Sequence, residues 1–288
     1  MSNIGLIFIV YNSYDDLDLL LESQSIIDIE CFNIIVVDNT DVALRDTGRL
    51  ERWSPYRNIH ICYSGINEGY FGGARVALRE HPELFDDADF VVISNVDLEF
   101  SFKDLILSLS NVEIRQSDVG VFAPTLVSES GLPVRQLHYY SRPSSRHYVR
   151  LSKIYGIYNL AVIHRIFFDL KRKIFPSRSS DEDRDLIFAP HGAMMIFTKR
   201  YMKETASFRH PAFLFCEEIF VGYQCAIANL SCRRLRDVTY SHRNHGSIGA
   251  IPSRKIVLFL LEAHLAATPM LATLERMESQ ALLKSTSR

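Results

Sequence analysis

An α/β protein with a mostly parallel central sheet and helices on both faces is what this sequence predicts, and three observations carry that prediction. The first hundred residues alternate short apolar runs with helical segments, which is the pattern of parallel α/β units. The runs are continuous in hydrophobicity, as strands covered on both faces are. Several stop abruptly at Asp or Asn, and the carboxyl edge of such a sheet is where ligands sit.

The first run, Ile4–Val10, ends in Tyr11-Asn12-Ser13, where Ser13 is an N-cap candidate for a helix over 14–23. Asp15, Asp16 and Asp18 then fall near the positive end of the helix dipole. A second strand, 33–37, ends in Asp38-Asn39-Thr40, a place for a carboxylate that hydrogen-bonds a nucleoside or for a plain turn. The third, 58–62, leads into Asn67-Glu68-Gly69-Tyr70-Phe71-Gly72-Gly73-Ala74 and a helix stopped by Pro82. That loop has neither the Lys-Ser/Thr of a P-loop nor G-x-G-x-x-G. Gly72 and Gly73 ahead of a helix let backbone N–H groups approach a ligand, or let the helix pack tightly on the sheet.

The fourth run, residues 91–100, organises the rest. It ends in Asn95-x-Asp97-x-Glu99, oxygen donors two residues apart at a strand's carboxyl end. Such a pair can meet one hard cation, Mg2+ or Mn2+, which in turn takes diphosphate oxygens; a polar turn is the alternative.

Beyond it, residues 118–124 read as a strand and 125–137 as a hairpin around Glu129-Ser130-Gly131. Between 142 and 178 the chain is basic, with Asp169 the one acid among nine Lys and Arg, an amphipathic composition suited to an anionic membrane surface or to a solvated helix face. Asp181-Glu182-Asp183-Arg184-Asp185 reads as a solvated loop, with a mobile lid as the alternative. A strand over 186–197 follows, in which Gly192 allows a close approach to backbone or marks a bulge. Glu217 and Glu218 open a helix over 217–230, where its dipole favours carboxylates. A strand over 232–240, a polar loop containing His242, and an apolar helical tail from 255 complete the chain.

Composition bounds the function. The 288 residues are 47% hydrophobic, enough for a large core, and a net charge of −2 argues against nucleic acid as a partner. Five cysteines without C-x-x-C spacing suggest neither a disulfide framework nor a zinc site, and a reducing, cytoplasmic compartment fits them. The amino-terminal apolar run lacks the basic lead and cleavage site of a signal peptide.

Several of these pieces occur together in a familiar order. Ile9-Val10-Tyr11-Asn12-Ser13, Val36-Val37-Asp38-Asn39, Asn67-x-Gly69-x-x-Gly72-Gly73-Ala74, Asn95-x-Asp97, Gly192-Ala193-Met194-Met195 with Arg200, Phe213-Leu214-Phe215-Cys216-Glu217-Glu218 and His242-x-x-x-Gly246-Ser247 follow one another over residues 4–248. The chain thereby resembles family 2 glycosyltransferases of the GT-A fold, and within them bacterial rhamnosyltransferase-like enzymes of surface-polysaccharide (O-antigen or capsule) synthesis.

The resemblance implies an inverting transfer of one sugar from a nucleotide-diphosphate-sugar donor to a hydroxyl of a glycan or polyprenol-linked acceptor. It implies donor contacts at Val10, Tyr11, Asn12, Asp38, Asn67, Gly69, Gly72, Gly73, Asn95 and Gly192. Asp97 and His242 would hold Mn2+ or Mg2+, Glu218 would be the general base, and Glu217 would orient acceptor or neighbouring groups. Residues 1–110 would then be the nucleotide-sugar-binding half, 111–250 the acceptor-binding and catalytic half of the same domain, and 251–288 a C-terminal helical extension. The extension could pack on the core, on another subunit of a homo-oligomer, or on lipid at the inner face of the cell membrane. Three departures stand out: Glu218 where the family usually has Asp, Phe220 where it often has another Asp, and no Arg-Asn in the tail. They leave room for a catalytically silent nucleotide-sugar-binding or assembly subunit.

Overall fold

The structure is a computed structural model that describes residues 3–112, 118–132, 134, 138–174, 184–243 and 252–286. Strand β1 (Ile4–Val10) leads to α1 (Tyr14–Glu22), α2 (Ile26–Glu30), β2 (Asn33–Asp38), α3 (Thr47–Glu51), β3 (Ile59–Tyr63), α4 (Tyr70–Glu80), α5 (Glu83–Asp86) and β4 (Phe90–Asn95). Next come β5 (Leu98–Phe100), α6 (Phe102–Asn111), β6 (Val119–Val127), α7 (Ser145–Tyr155) and α8 (Tyr158–Ile174). The chain closes with β7 (Leu186–Ile187), β8 (Met194–Thr198), α9 (Lys199–Glu204), α10 (Glu217–Ile227), β9 (Ser231–His242) and α11 (Arg254–Thr286).

Among the described residues nine strands form one sheet in the order β3-β2-β1-β4-β8-β6-β9-β5, with β7 added on β9. The first four are mutually parallel, as the α/β alternation predicts. From β8 onward the sheet is mixed: β4–β8, β8–β6, β9–β5 and β9–β7 are antiparallel, and β6–β9 is parallel. The period-two geometry of a strand explains the continuous apolar runs, because alternate residues face opposite layers. Leu6, Phe8 and Val10 pack on one face with Ile34 and Val36, whereas Ile7, Ile35 and Val37 pack on the other with Phe71, Ala74 and Ala77 of α4.

Four local expectations change. The strand expected over 186–197 is two strands, β7 and β8, because β7 pairs with β9 while β8 crosses to lie between β4 and β6. Pro190, which has no N–H to donate, lies in the stretch between them. The hairpin expected over 125–137 is a turn at its start, with the Gly131 N–H donating to Ser128 O at 2.8 Å, but β6 takes its neighbours from β8 and β9 rather than from a return strand; residues 133 and 135–137 lie outside the described residues. Ser13 stands at the N-cap of α1 without capping it, its hydroxyl instead accepting the Tyr11 N–H at 3.4 Å. His242 is the last residue of β9 rather than part of a loop.

The helical extension docks on its own chain. Ala267 and Leu271 of α11 pack with Tyr148 of α7 and Ile219 of α10, and Val257 packs with Tyr155 and Ala161. Glu275 of α11 accepts both the N–H and the hydroxyl of Ser145, at 2.8 and 2.6 Å, and Arg142 pairs with Glu275 and Glu278. Within α11, residues Arg254–Lys284 are long and apolar enough to cross a membrane.

Candidate active site

The site forms at the carboxyl edge of β4, and strand register builds it. After Asn95, whose N–H donates to Ala193 O at 2.9 Å, the chain turns through Val96 and Asp97 into β5. Strand β5 pairs antiparallel with the end of β9, setting Leu98 opposite His242, and the Arg243 N–H donates to Asp97 O at 2.9 Å. That ladder brings Asp97 Oδ2 to 3.5 Å from His242 Nε2. The carboxylate is 14% exposed and the imidazole 33%, so both reach solvent. His242 Nδ1 lies 3.2 Å from Arg243 O, an acceptor, and a proton on Nδ1 would leave Nε2 free to ligate a cation.

The paired glutamates come from the other side. Phe215 at φ 70° and Cys216 at φ 61° sit in succession in the left-handed region, a conformation that costs roughly 1–3 kcal/mol per residue and clusters at functional sites. The bend lets the Phe215 N–H donate to Glu217 Oε1 at 3.1 Å. It also presses Phe213 O against Gly69, where a Cβ would stand 2.0 Å from that oxygen; with φ +74° the position suits only glycine. Gly192 plays the same part for Glu218: a Cβ there would lie 2.7 Å from Glu218 Oε1. The two backbone-permissive positions thus lock the glutamates against the loops after β3 and before β8.

Tyr70, the first residue of α4, stands where these parts meet. Burial raises its hydroxyl pKa well above the ordinary value, and the charges of Glu217, Asp97 and Glu218 push the same way. The Tyr70 hydroxyl donates to Ala193 O at 3.5 Å, the carbonyl that also takes the Asn95 N–H, and Ala193 follows Gly192, which abuts Glu218, so the end of β4 and Glu218 border one short segment. Burial also raises Glu217, assisted by the charge of Glu218. Glu218 is raised by burial and held down in part by its own N–H and that of Gly192. A carboxylate made more basic in this way is suited to accept a proton. Behind it, Tyr240 OH lies 3.0 Å from His191 Nδ1, and the His191 N–H donates to His138 Nδ1 at 3.0 Å. Burial lowers His191 to about 4 and His138 to about 3, so both are neutral at pH 7.

The donor-side residues separate into two groups. Tyr11 is exposed at the edge of β1, and Asn12, at φ 53°, donates its N–H to Thr40 Oγ1 at 2.9 Å. Asp38, by contrast, is fully buried: Arg45 Nε lies 3.2 Å from it, Tyr14 OH donates to it at 3.0 Å and Thr40 N–H at 2.9 Å. Its oxygens face Arg45, Tyr14 and Thr40. Val10 is likewise buried in the core, and Asn67 Oδ1 accepts the Gly69 N–H at 2.9 Å in a local turn. Gly73 packs where a Cβ would stand 2.9 Å from Ile9, and at Gly72 the Cβ would stand 2.8 Å from Glu68, so tight packing accounts for both. Tyr70, His138, His191 and Tyr240 escaped the sequence reading. Tyr70 lies between Gly69 and Gly72, residues that the sequence placed in a loop and that the structure places at the N-cap and in the first turn of α4, and His191 lies beside Gly192, so only their neighbours pointed to them.

A divalent cation fits the Asp97–His242 pair. Among the described residues no three His, Cys, Asp or Glu side chains cluster as a complete ligand set. Two donors 3.5 Å apart are near the roughly 3 Å expected of adjacent ligands on an ion with bonds of about 2.1 Å, and Mg2+ and Mn2+ commonly take one or two protein groups, completing their shells from phosphate and water.

This architecture is that of the GT-A fold, a mixed α/β sheet flanked by helices with a C-terminal helix. The mannosyltransferase PcManGT from Pyrobaculum calidifontis, solved with GDP-Man and Mn2+, superposes with TM-score 0.53 and 13% identity, covering 99% of this chain and 79% of its own. GalNAc-T7, solved with UDP, GalNAc and Mn2+, gives 0.51 at 8% identity over 84% of this chain and 44% of its own. In sequence, the chain is 25% identical over 136 residues to Agl10 of Haloferax volcanii, a low-salt glycan biosynthesis hexosyltransferase. That match takes in 47% of this chain and 40% of the relative, so the chain spans less than half the length of the curated protein it resembles. No family model matches the sequence.

Proposed function

We propose that the protein is a glycosyltransferase that moves a single sugar, with inversion, from a nucleotide-diphosphate-sugar donor to an acceptor hydroxyl. The observation that carries this reading is the Asp97–His242 pair just after β4, joined through the Gly192-Ala193 segment to Glu218 and Tyr70. Agl10 and PcManGT, hexosyl and mannosyl transferases by name, support it, and the Mn2+ bound by PcManGT and GalNAc-T7 supports a metal-dependent reaction.

Asp97 and His242 would hold Mn2+ or Mg2+, which when bound would neutralise charge developing on the leaving diphosphate. Glu218 takes the proton of the acceptor hydroxyl as that oxygen forms its bond to the anomeric carbon, while the bond from that carbon to the diphosphate oxygen breaks on the opposite face. Glu217, held by the Phe215 N–H, keeps the loop before α10 in place. A glycan or polyprenol-linked acceptor would enter beside Glu218. The finer identity, a rhamnosyl-type transfer in O-antigen or capsule synthesis, rests on the motif resemblance alone.

Two measurements test the reading. A thermal-shift screen of nucleotide sugars with and without Mn2+ should find a donor that raises Tm by mass action, about 2.7 kcal/mol at a hundredfold excess over Kd. Glu218→Gln should then lower turnover by about 10²–10⁴-fold while donor binding persists. A wild-type chain that binds donor and transfers nothing to any acceptor would be a silent assembly subunit instead.

A further inference from the structure

Helix α8 leaves an apolar face uncovered. Leu160, Ile163, Ile166, Phe167 and Leu170 are between 45% and 69% exposed. At 3.6 residues per turn they fall within one arc of about 120°. Ala161, on the opposite side, is fully buried with Tyr155 and Val257. The inner side of α8 is therefore seated on the protein, and the outer side offers hydrocarbon to solvent.

The segment that contains α7 and α8 is basic in sequence. Residues 142–174 hold eight Lys and Arg against Asp169, in a chain whose net charge is −2. On α7, which leads directly into α8, Arg146, Arg150 and Lys153 are exposed and, being three or four residues apart, share one helix face with the exposed Val149.

We propose that α8 lies flat in the surface of an anionic lipid bilayer, burying its outer stripe among the acyl chains while the cations of α7 meet the lipid headgroups. Hydrocarbon flanked by cations is the pattern of an interfacial helix. With 17 residues, α8 is about 25 Å long, shorter than the roughly 30 Å hydrocarbon core it would need to span, so it lies in the plane. A second copy of the chain fits the face less well: a two-fold interface sets this segment against itself, and Asp169 is the one acid in it to pair with its cations. The assignment is independent of sugar transfer, since none of these side chains belongs to the candidate active site.

Vesicle flotation of the full chain tests it, using phosphatidylcholine alone and phosphatidylcholine mixed with phosphatidylglycerol, alongside sedimentation in lipid-free buffer. The chain should float with the anionic vesicles only, and added salt should weaken the binding. Ile163→Asp with Phe167→Asp, and separately Arg146→Glu with Arg150→Glu and Lys153→Glu, should each weaken it at least about tenfold with the thermal melt unchanged. Equal flotation on both vesicle types, no flotation, or a dimer in buffer that Phe167→Asp dissociates would each overturn the proposal.

Discussion

Asp38 ends β2 and Asp97 lies in the turn just after β4, at the same edge of one sheet with β1 between the two strands, and each follows an apolar run. Asp38 is wholly buried and ringed by Arg45, Tyr14 and Thr40. Asp97 keeps partial exposure and faces His242, a residue delivered by β9 from far along the chain. The contrast shows that an aspartate at a strand end acquires its role from its partner. A nearby arginine encloses Asp38 within the protein, whereas the imidazole facing Asp97 would supply a second ligand for the proposed cation.

The largest expected effects separate the two aspartates. Asp97→Ala should abolish nearly all transfer, by about a thousandfold or more, yet change stability by less than about 1 kcal/mol. Asp38→Ala should do the reverse: it strands Arg45 without its carboxylate and should cost roughly 3–5 kcal/mol in denaturant unfolding, with activity per folded molecule retained. If Asp38→Ala unfolds no more easily than wild type but fails to bind donor, the structural reading is lost and the nucleoside role regained. Next, Gly69→Ala should destabilise by about 2–4 kcal/mol, because a methyl group in a left-handed backbone must displace Phe213 O. Activity should fall with it, since that loop holds the glutamates. An Ala variant as stable as wild type would show that the approach of the two loops is not required.

The smallest effect has a definite sign. Glu217 has its folded pKa raised by burial and by Glu218, so the stability its protonated form contributes is complete below the ordinary carboxylate pKa of about 4.3 and is lost as pH rises toward the folded value. Glu217→Gln still accepts the Phe215 N–H but carries no charge, and it should therefore stabilise the fold by about 1–2 kcal/mol near neutral pH and by almost nothing at pH about 4. Melting curves that show the same difference at both pH values would contradict the burial of that charge.

Periodicity made the strands legible. Ile4–Val10 matches the observed β1, and the runs that became β2 and β3 lie within a residue of their observed bounds, whereas the run over 91–100 divides into β4, ending at Asn95, and β5. The acidic stop at Asp97 and the Glu217–Glu218 pair were equally visible as chemistry. Residues 186–197 were misread because an apolar stretch shows how many residues are buried and not which strands they pair with. The same gap hid Tyr70, His191 and Tyr240, each of which looks like an ordinary aromatic or loop residue until a neighbouring element is placed against it.

What the sequence by itself determined was the alternation of elements, the two buried faces of the parallel half-sheet, and the residue types available at its edge. These follow from local rules, since hydrophobic period and turn chemistry act over a few residues. Only the tertiary structure decided that β9 would deliver His242 to Asp97, that Arg45 would close over Asp38, and that α8 would keep an apolar side in solvent. Each of those outcomes depends on pairing between segments far apart in the chain, where register and packing set the partners and no local signal records them.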